Sequence, residues 1–414
     1  MKHIAIVTLK TLTPLKIGTS KVDFLQDMPV NRDFNGLPFI QGSSIAGVLR
    51  KKFQQRADEI FGYEKEKGDE GEASKVKISN ALLVDEKGKV HEKLIGEKSK
   101  FLKIFDNLPV REHTAINHRG VAKEHSKYDE EVVFRGAKFR FMIEYEGDWE
   151  TFEEILEKIN TPSFRLGGRT TNGFGNFKAE KILYESMDNE KYAEFKPSLN
   201  TELNSEFTKK GTEKDYKHYR LCIKPESFFI FGNGEGDSEA DLTELKEHFV
   251  DYENGGLGEL EVVIPASSVK GALSHRVAFY YNLEEKNWAE KRINQEKETN
   301  PAVIALFGEK KHKKRGSKGK VYISEAYKRE YYEKVFDHVK IDRFTGGAVD
   351  TALFNEKAVL TDEIIIDVYV KDDVEQRYLK LLEKAFDDVV NGMLPLGYGV
   401  NKGHGVFLGK WEEV

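Results

Sequence analysis

Two stretches decide how this chain folds. The first reads Phe39-Ile40-Gln41-Gly42-Ser43-Ser44-Ile45-Ala46-Gly47-Val48-Leu49-Arg50, and the second reads Val263-Ile264-Pro265-Ala266-Ser267-Ser268-Val269-Lys270-Gly271-Ala272-Leu273, with Arg276 close behind. Each is a short apolar run, a turn, and a serine pair opening an amphipathic helical pattern. The likeness continues outward. Phe61-Gly62 and then Lys75-Val76-Lys77-Ile78-Ser79-Asn80-Ala81 match Phe307-Gly308 and Lys320-Val321-Tyr322-Ile323-Ser324-Glu325-Ala326. Ile116-Asn117-His118-Arg119-Gly120-Val121-Ala122 matches Ile341-Asp342-Arg343-Phe344-Thr345-Gly346-Gly347-Ala348. The glycine-rich loop from Leu166 to Gly175, which holds Arg169, matches that from Leu396 to Gly405, which holds Lys402. Four correspondences in one order mean an internal duplication.

The expected organisation is a first domain over 1–185, a polar connector over 186–217 and a second domain over 218–414. Strands are expected at His3 to Lys16 and His218 to Phe231, and later at Phe139 to Tyr145 and Ile364 to Val370. A first helix should bury Ile45, Val48, Leu49, Phe53, Ala57 and Ile60, and its counterpart Val269, Ala272, Leu273 and Val277. A second helix follows each late strand, then Pro162 or Pro395, then the glycine loop. Strand–helix–strand repeated twice per domain predicts an α+β fold of two ferredoxin-like domains carrying insertions.

Composition narrows the class. The 414 residues are 39% hydrophobic and 33% charged, with 27 Phe and 17 Tyr, enough apolar material for real cores. Cys222 is the only cysteine, which excludes an intrachain disulfide and a cysteine-rich zinc site. No long apolar run predicts a membrane span, the amino terminus lacks a signal-peptide pattern, and a cytoplasmic location is expected. A net charge of −6 argues against indiscriminate polyanion binding but leaves room for a local basic track.

Several motifs carry candidate chemistry. Gly42-Ser43-Ser44 and Ser267-Ser268 could cradle phosphate with helix-start N–H groups and hydroxyls, assisted by Arg50 and Lys270 within about a turn; plain serine capping is the bland alternative. The match of Ser267 to Lys270 with S-x-x-K lacks the companion motifs of that class. His113, His118 and His125 sit irregularly for a metal site, and solvated or RNA-facing roles suit them better. Lys310 to Arg315 is the densest cation run. Asp27, in a Pro-punctuated loop before Met28-Pro29-Val30, could bind magnesium or orient a ribose hydroxyl, against the commoner reading of a turn-capping Asp.

With Leu12-Thr13-Pro14-Leu15-Lys16-Ile17-Gly18, Asp27-Met28-Pro29-Val30-Asn31-Arg32-Asp33 and the duplicated motifs above, the sequence resembles the RAMP superfamily, the backbone subunits of type III CRISPR effector complexes of the Csm or Cmr kind. The resemblance implies modified ferredoxin-like (RRM-like) domains with protruding thumb hairpins, fused in tandem. It implies binding of CRISPR guide RNA, pairing with target RNA, contact with other type III subunits, and a role in antiviral defence. It also implies guide contacts from Gly42, Ser43, Ser44, Arg50, Arg119, Arg169, Ser267, Ser268, Lys270, Arg276, Arg343 and Lys402. Asp27 matches the family's position for metal-dependent target cleavage, with magnesium or another divalent cation as cofactor. Asp251 precedes Ser267 by the same interval as Asp27 precedes Ser43, yet Tyr252-Glu253-Asn254 replaces the expected Pro context. Two further readings stay open: a non-catalytic structural or capping subunit, and a guide-precursor processing endoribonuclease.

Overall fold

The computed structural model describes residues 1–18, 29–64, 71–114, 116, 124–212, 215–286, 300–309 and 316–414. Strand β1 (Lys2–Thr11) is buried along nearly its whole length, which marks it as central. It leads to helix α1 (Gly42–Phe53) and the short strands β2 (Val76–Ile78) and β3 (Ala81–Leu83). A hairpin of β4 (Val110–His113) and β5 (Tyr128–Glu131) follows, then β6 (Lys138–Glu146), helix α2 (Trp149–Ile159) and β7 (Phe177–Met187). β1 pairs antiparallel with β7 on one side and β6 on the other, and β6 carries β2 and β3. That is the ferredoxin-like strand order, with α1 and α2 packed on the face bearing Ala5, Val7 and Leu9.

The second domain repeats the plan with β8 (Tyr216–Pro225), α3 (Ala266–Glu284), β9 (Val321–Ile323), β10 (Tyr332–Ile341), β11 (Ala348–Leu360), β12 (Ile364–Lys371), α4 (Gln376–Val390) and β13 (Phe407–Glu413). Its sheet runs β9-β12-β8-β13, all antiparallel. Strands β10 and β11 form a long two-stranded hairpin apart from that sheet, ending in an exposed turn where Phe344 is 99% exposed. This hairpin and β4–β5 give each domain a two-stranded hairpin outside its main sheet.

Two expectations change. The first helix does not run from Ile45 to Ile60: α1 stops at Phe53, Gln54 takes φ +46°, and Ala57–Phe61 forms a separate short helix. Apolar residues spaced by four drift around a straight helix by about 40° per step, so Ala57 and Ile60 would leave the core face. The break returns both to the core, where they are buried.

The segment 186–217 is also more than a linker. Asn189–Glu194 forms a helix, Ser205–Glu206 pairs with β7, and Leu203 packs with Ile4, Ile6 and Met187. Those isoleucines lie on the face of β1 opposite α1 and α2, and the segment gives that face its apolar cover. Among the described residues, no helix is long and apolar enough to cross a membrane.

The domains meet through buried charge. Arg111 on β4 is 4% exposed and bonds Glu247 and Glu325 of the second domain with two nitrogens each, at 2.7 Å to Glu247 Oε2 and 3.0 Å to Glu325 Oε2. Arg135 pairs with Glu261 and lies over the Tyr327 ring at 4.2 Å. A second-domain hairpin, Val250–Asp251 with Gly256–Leu257, reaches into the first domain. There Val250 joins the buried core and its N–H donates to the Arg135 carbonyl at 2.8 Å. The Tyr252 hydroxyl donates to the Val84 carbonyl and accepts from the Lys138 N–H, each at 2.9 Å. Gly136 leaves room for this approach: a Cβ there would stand 2.6 Å from the Val250 carbonyl oxygen.

Candidate nucleic-acid interface

At the foot of the first hairpin, Glu130 on β5 is completely buried. His113 Nε2 stands 2.8 Å from its Oε1, and Arg169 Nε donates to Oε2 at 2.8 Å. Arg169 also donates to the Tyr128 hydroxyl at 2.8 Å and lies 4.7 Å over that ring, on which His113 stacks at 5.1 Å. Burial pushes the Glu130 carboxyl upward, but the nearby His113 ring and the Arg169 charge outweigh it and hold the group below its usual range. The glycine-rich loop makes this possible. Gly175 is obligatory there, because φ is +68° and a Cβ would lie 1.9 Å from the Leu166 carbonyl oxygen.

The second domain builds the same constellation. Glu356 on β11 is completely buried, with His338 Nε2 at 2.9 Å and His404 Nε2 at 3.1 Å from Oε1. Lys402 Nζ donates to Oε2 at 2.8 Å and lies 4.6 Å over Phe354, on which His338 stacks at 4.9 Å. Burial again works against ionisation, and Lys402 and His338 again win, so Glu356 also sits below its usual range. The loop cation comes from different places: Arg169 precedes the 3₁₀ turn Thr170–Asn172, whereas Lys402 ends the turn Val400–Lys402. In both domains the cation ties the glycine loop to the hairpin. The sequence does carry a signal for the carboxylates, Tyr128-Asp129-Glu130 against Phe354-Asn355-Glu356, which sequence reading missed.

Neither serine pair caps its helix. The capping positions are Gln41 and Pro265, without side-chain caps, which places the serines inside the first turn. Ser43, Ser44 and Ser268 are exposed and Ser267 is half-buried. Gly42 N–H donates to Asn80 Oδ1 at 3.0 Å, and a Cβ at Gly42 would stand 2.3 Å from the Ile78 carbonyl oxygen. In the second domain the helix start abuts the first domain's glycine loop. Lys270 Nζ donates to Thr171 Oγ1 at 3.1 Å and Asn172 Oδ1 at 2.9 Å, and a Cβ at Gly173 would stand 2.6 Å from that of Ala266. Folding thus brings Arg169's loop together with Ser267, Ser268 and Lys270 at the domain junction.

Other expected site residues lie apart. Arg50 is not within a turn of Ser43: it lies seven positions further on, about 10 Å along the helix. Its guanidinium donates to the Gly62 carbonyl at 2.5 Å and to Asp58. Arg276 braces α3 against α4 through Asp388 and the Met393 carbonyl at 3.1 Å. Arg343 is exposed in the turn of the long hairpin. Asp27, Arg119, His118 and the run 310–315 lie outside the described residues.

Asp251 is occupied as a turn cap. Its Oδ1 accepts from the Glu253 and Asn254 N–H groups at 2.9 and 3.2 Å, and Oδ2 accepts from Asn254 Nδ2 at 2.6 Å. The Asn254 side chain and these backbone donors hold its carboxyl below the ordinary range. Among the described residues, no three His, Cys, Asp or Glu side chains gather as a metal site. Both Asp251 oxygens are thus engaged within its own turn.

The family model of the RAMP superfamily matches residues 8–178 and 223–407, one span in each domain. No protein with a curated description matches the chain.

Proposed function

The chain belongs to the RAMP superfamily, and on that premise we propose that it is a tandem backbone subunit of a type III CRISPR effector complex, holding guide RNA and pairing it with target RNA. The family implies a CRISPR-associated RNA-binding subunit working in an RNA–protein complex. The observation that carries the finer reading is the duplicated unit of hairpin, buried glutamate and glycine loop. Two such units locked by Arg111 and the Tyr252 hairpin would meet the guide at a constant spacing.

The exposed Ser43 and Ser44 at the start of α1 suit phosphate contacts, which position a strand without reading bases. The internal junction also suggests how neighbouring type III subunits attach. The exposed start of α1 is the surface that, in the second domain, meets a glycine loop.

Target cleavage is assigned to the first domain, through Asp27 with magnesium. The Asp251 oxygens are already spent on a turn, and Val250 and Tyr252 beside it are held in the other domain. The test is the assembled complex with labelled complementary RNA and magnesium. Asp27→Asn should remove a product while target binding persists, and Asp251→Asn should remove none. If all products persist in both variants, the catalytic assignment fails and the chain is better read as a non-catalytic scaffold. Cleavage of guide precursor by the isolated chain would instead favour a processing endoribonuclease.

A further inference from the structure

A cleft opens where the last turns of α1 and α2 approach the start of β8 in the second domain. It is lined by Lys52, Lys158, Thr161, Thr212, Asp215 and Tyr216. Strand register extends it: Lys371 on β12 lies directly opposite Tyr216, and Tyr369 opposite Tyr322. The Tyr216 and Tyr322 rings meet edge-on at 5.8 Å. Lys318 Nζ lies 5.5 Å from the Tyr322 centroid, and the Arg165 guanidinium lies 6.0 Å from the same ring. Cations from both domains therefore converge on one seam. Desolvation and the like charges of Lys51, Lys371 and Arg165 push the Lys318 amine down.

Helix dipoles explain only part of this. Each helix C-terminus carries roughly half a negative charge, which suits Lys51, Lys52 and Lys158 nearby. Lys158 also pairs with Glu154 at 3.2 Å. Lys318, Lys371 and Arg165 come from outside those helices, and Asp215 is the one carboxylate among the six lining residues. Carboxylates lie near as well, Glu154 at Lys158 and Asp373 at Lys320, but Lys51, Lys52, Lys318, Lys371 and Arg165 outnumber them and Asp215 along this seam.

We propose that this cleft is a second phosphate-binding site, taking phosphate groups between Lys52 and Lys158 of one domain and Lys318 and Lys371 of the other. It lies at the opposite end of α1 from Ser43 and Ser44, so it is separate from the helix-start contacts. Its ligand chemistry is that of phosphate oxygens, supplied by an RNA backbone or by a free polyphosphate.

The test uses the full chain with its co-purified RNA and compares wild type with Lys318→Gln/Lys371→Gln. One probe is a labelled single-stranded oligoribonucleotide unrelated to the guide; the other is inorganic pyrophosphate, read as a thermal shift. For an RNA backbone, probe affinity falls roughly tenfold in the variant and the salt slope drops by about 0.7 per lysine removed. For a free polyphosphate, pyrophosphate raises the wild-type Tm but not the variant's, while RNA affinity is unchanged. Equal affinity, equal slope and equal thermal shift in both proteins overturn the proposal. Retained guide RNA is measured separately, and its loss from wild type would count against the subunit assignment rather than against this cleft.

Discussion

Glu130 and Glu356 occupy the same place in the two domains: each is fully buried on the second strand of a hairpin, facing a first-strand histidine at 2.8 Å (His113) or 2.9 Å (His338). A buried carboxylate is costly unless paired and hydrogen-bonded, so each hairpin is tied to its own glycine loop through Arg169 or Lys402. The aim of the hairpins thus depends on two ionised side chains.

Glu356→Gln should cost about 1–3 kcal/mol at pH 7, because the buried acceptor loses its charge toward Lys402, which itself is exposed and stays hydrated. The folded carboxyl sits below its unfolded value of about 4.3, so its contribution is complete above that pH and is lost as pH falls through the folded value. The gap between wild type and variant should therefore narrow below about pH 4. Urea melts at pH 7 and in that acid range check it, and a gap of constant size would refute the ionised pair.

Arg111→Ala should be more damaging, about 3–5 kcal/mol, because Glu325 and Glu247 remain buried without their cation. Lysine should restore little of this, having no planar fork to engage two carboxylates. Thermal melts of the two variants, run side by side, measure the difference.

Tyr252→Phe removes one hydroxyl and strands both the Val84 carbonyl and the Lys138 N–H, for an expected loss of about 1–3 kcal/mol. Asp251→Asn keeps an oxygen able to accept from the turn, so the melting temperature should barely move. A large loss in Asp251→Asn would mean that its charge, and not the turn, matters.

Ser43→Asp separates folding from RNA binding. A carboxylate in the first turn of α1 favours the helix by about 0.3–1 kcal/mol, yet it repels phosphate. Melting temperature should hold or rise while RNA affinity falls for every sequence tested. Arg50→Ala should do the reverse, lowering stability and sparing RNA affinity, because Arg50 serves Gly62 and Asp58. RNA affinity lost in Arg50→Ala and kept in Ser43→Asp would reverse the assignment of α1's two ends.

The duplication, the strand and helix order and the apolar faces of α1 to α4 were legible in the sequence, because repeats and periodicity are spacings along the chain. Sequence also marked the glycine loops, where sites such as Gly175 admit no side chain. It did not say which charges would find partners inside the protein. Arg50, Arg169, Arg276 and Lys402 were read as guide contacts, and their protein partners could not be foreseen, since an ion pair such as Arg169 with Glu130 leaves no periodic trace. The break at Gln54, the second use of 189–206 as a cover for Ile4 and Ile6, and the meeting of Arg111 with Glu247 and Glu325 were decided by packing. Each depends on residues far apart in the chain becoming neighbours in a low-dielectric interior, where the energy of a charge is set by what surrounds it.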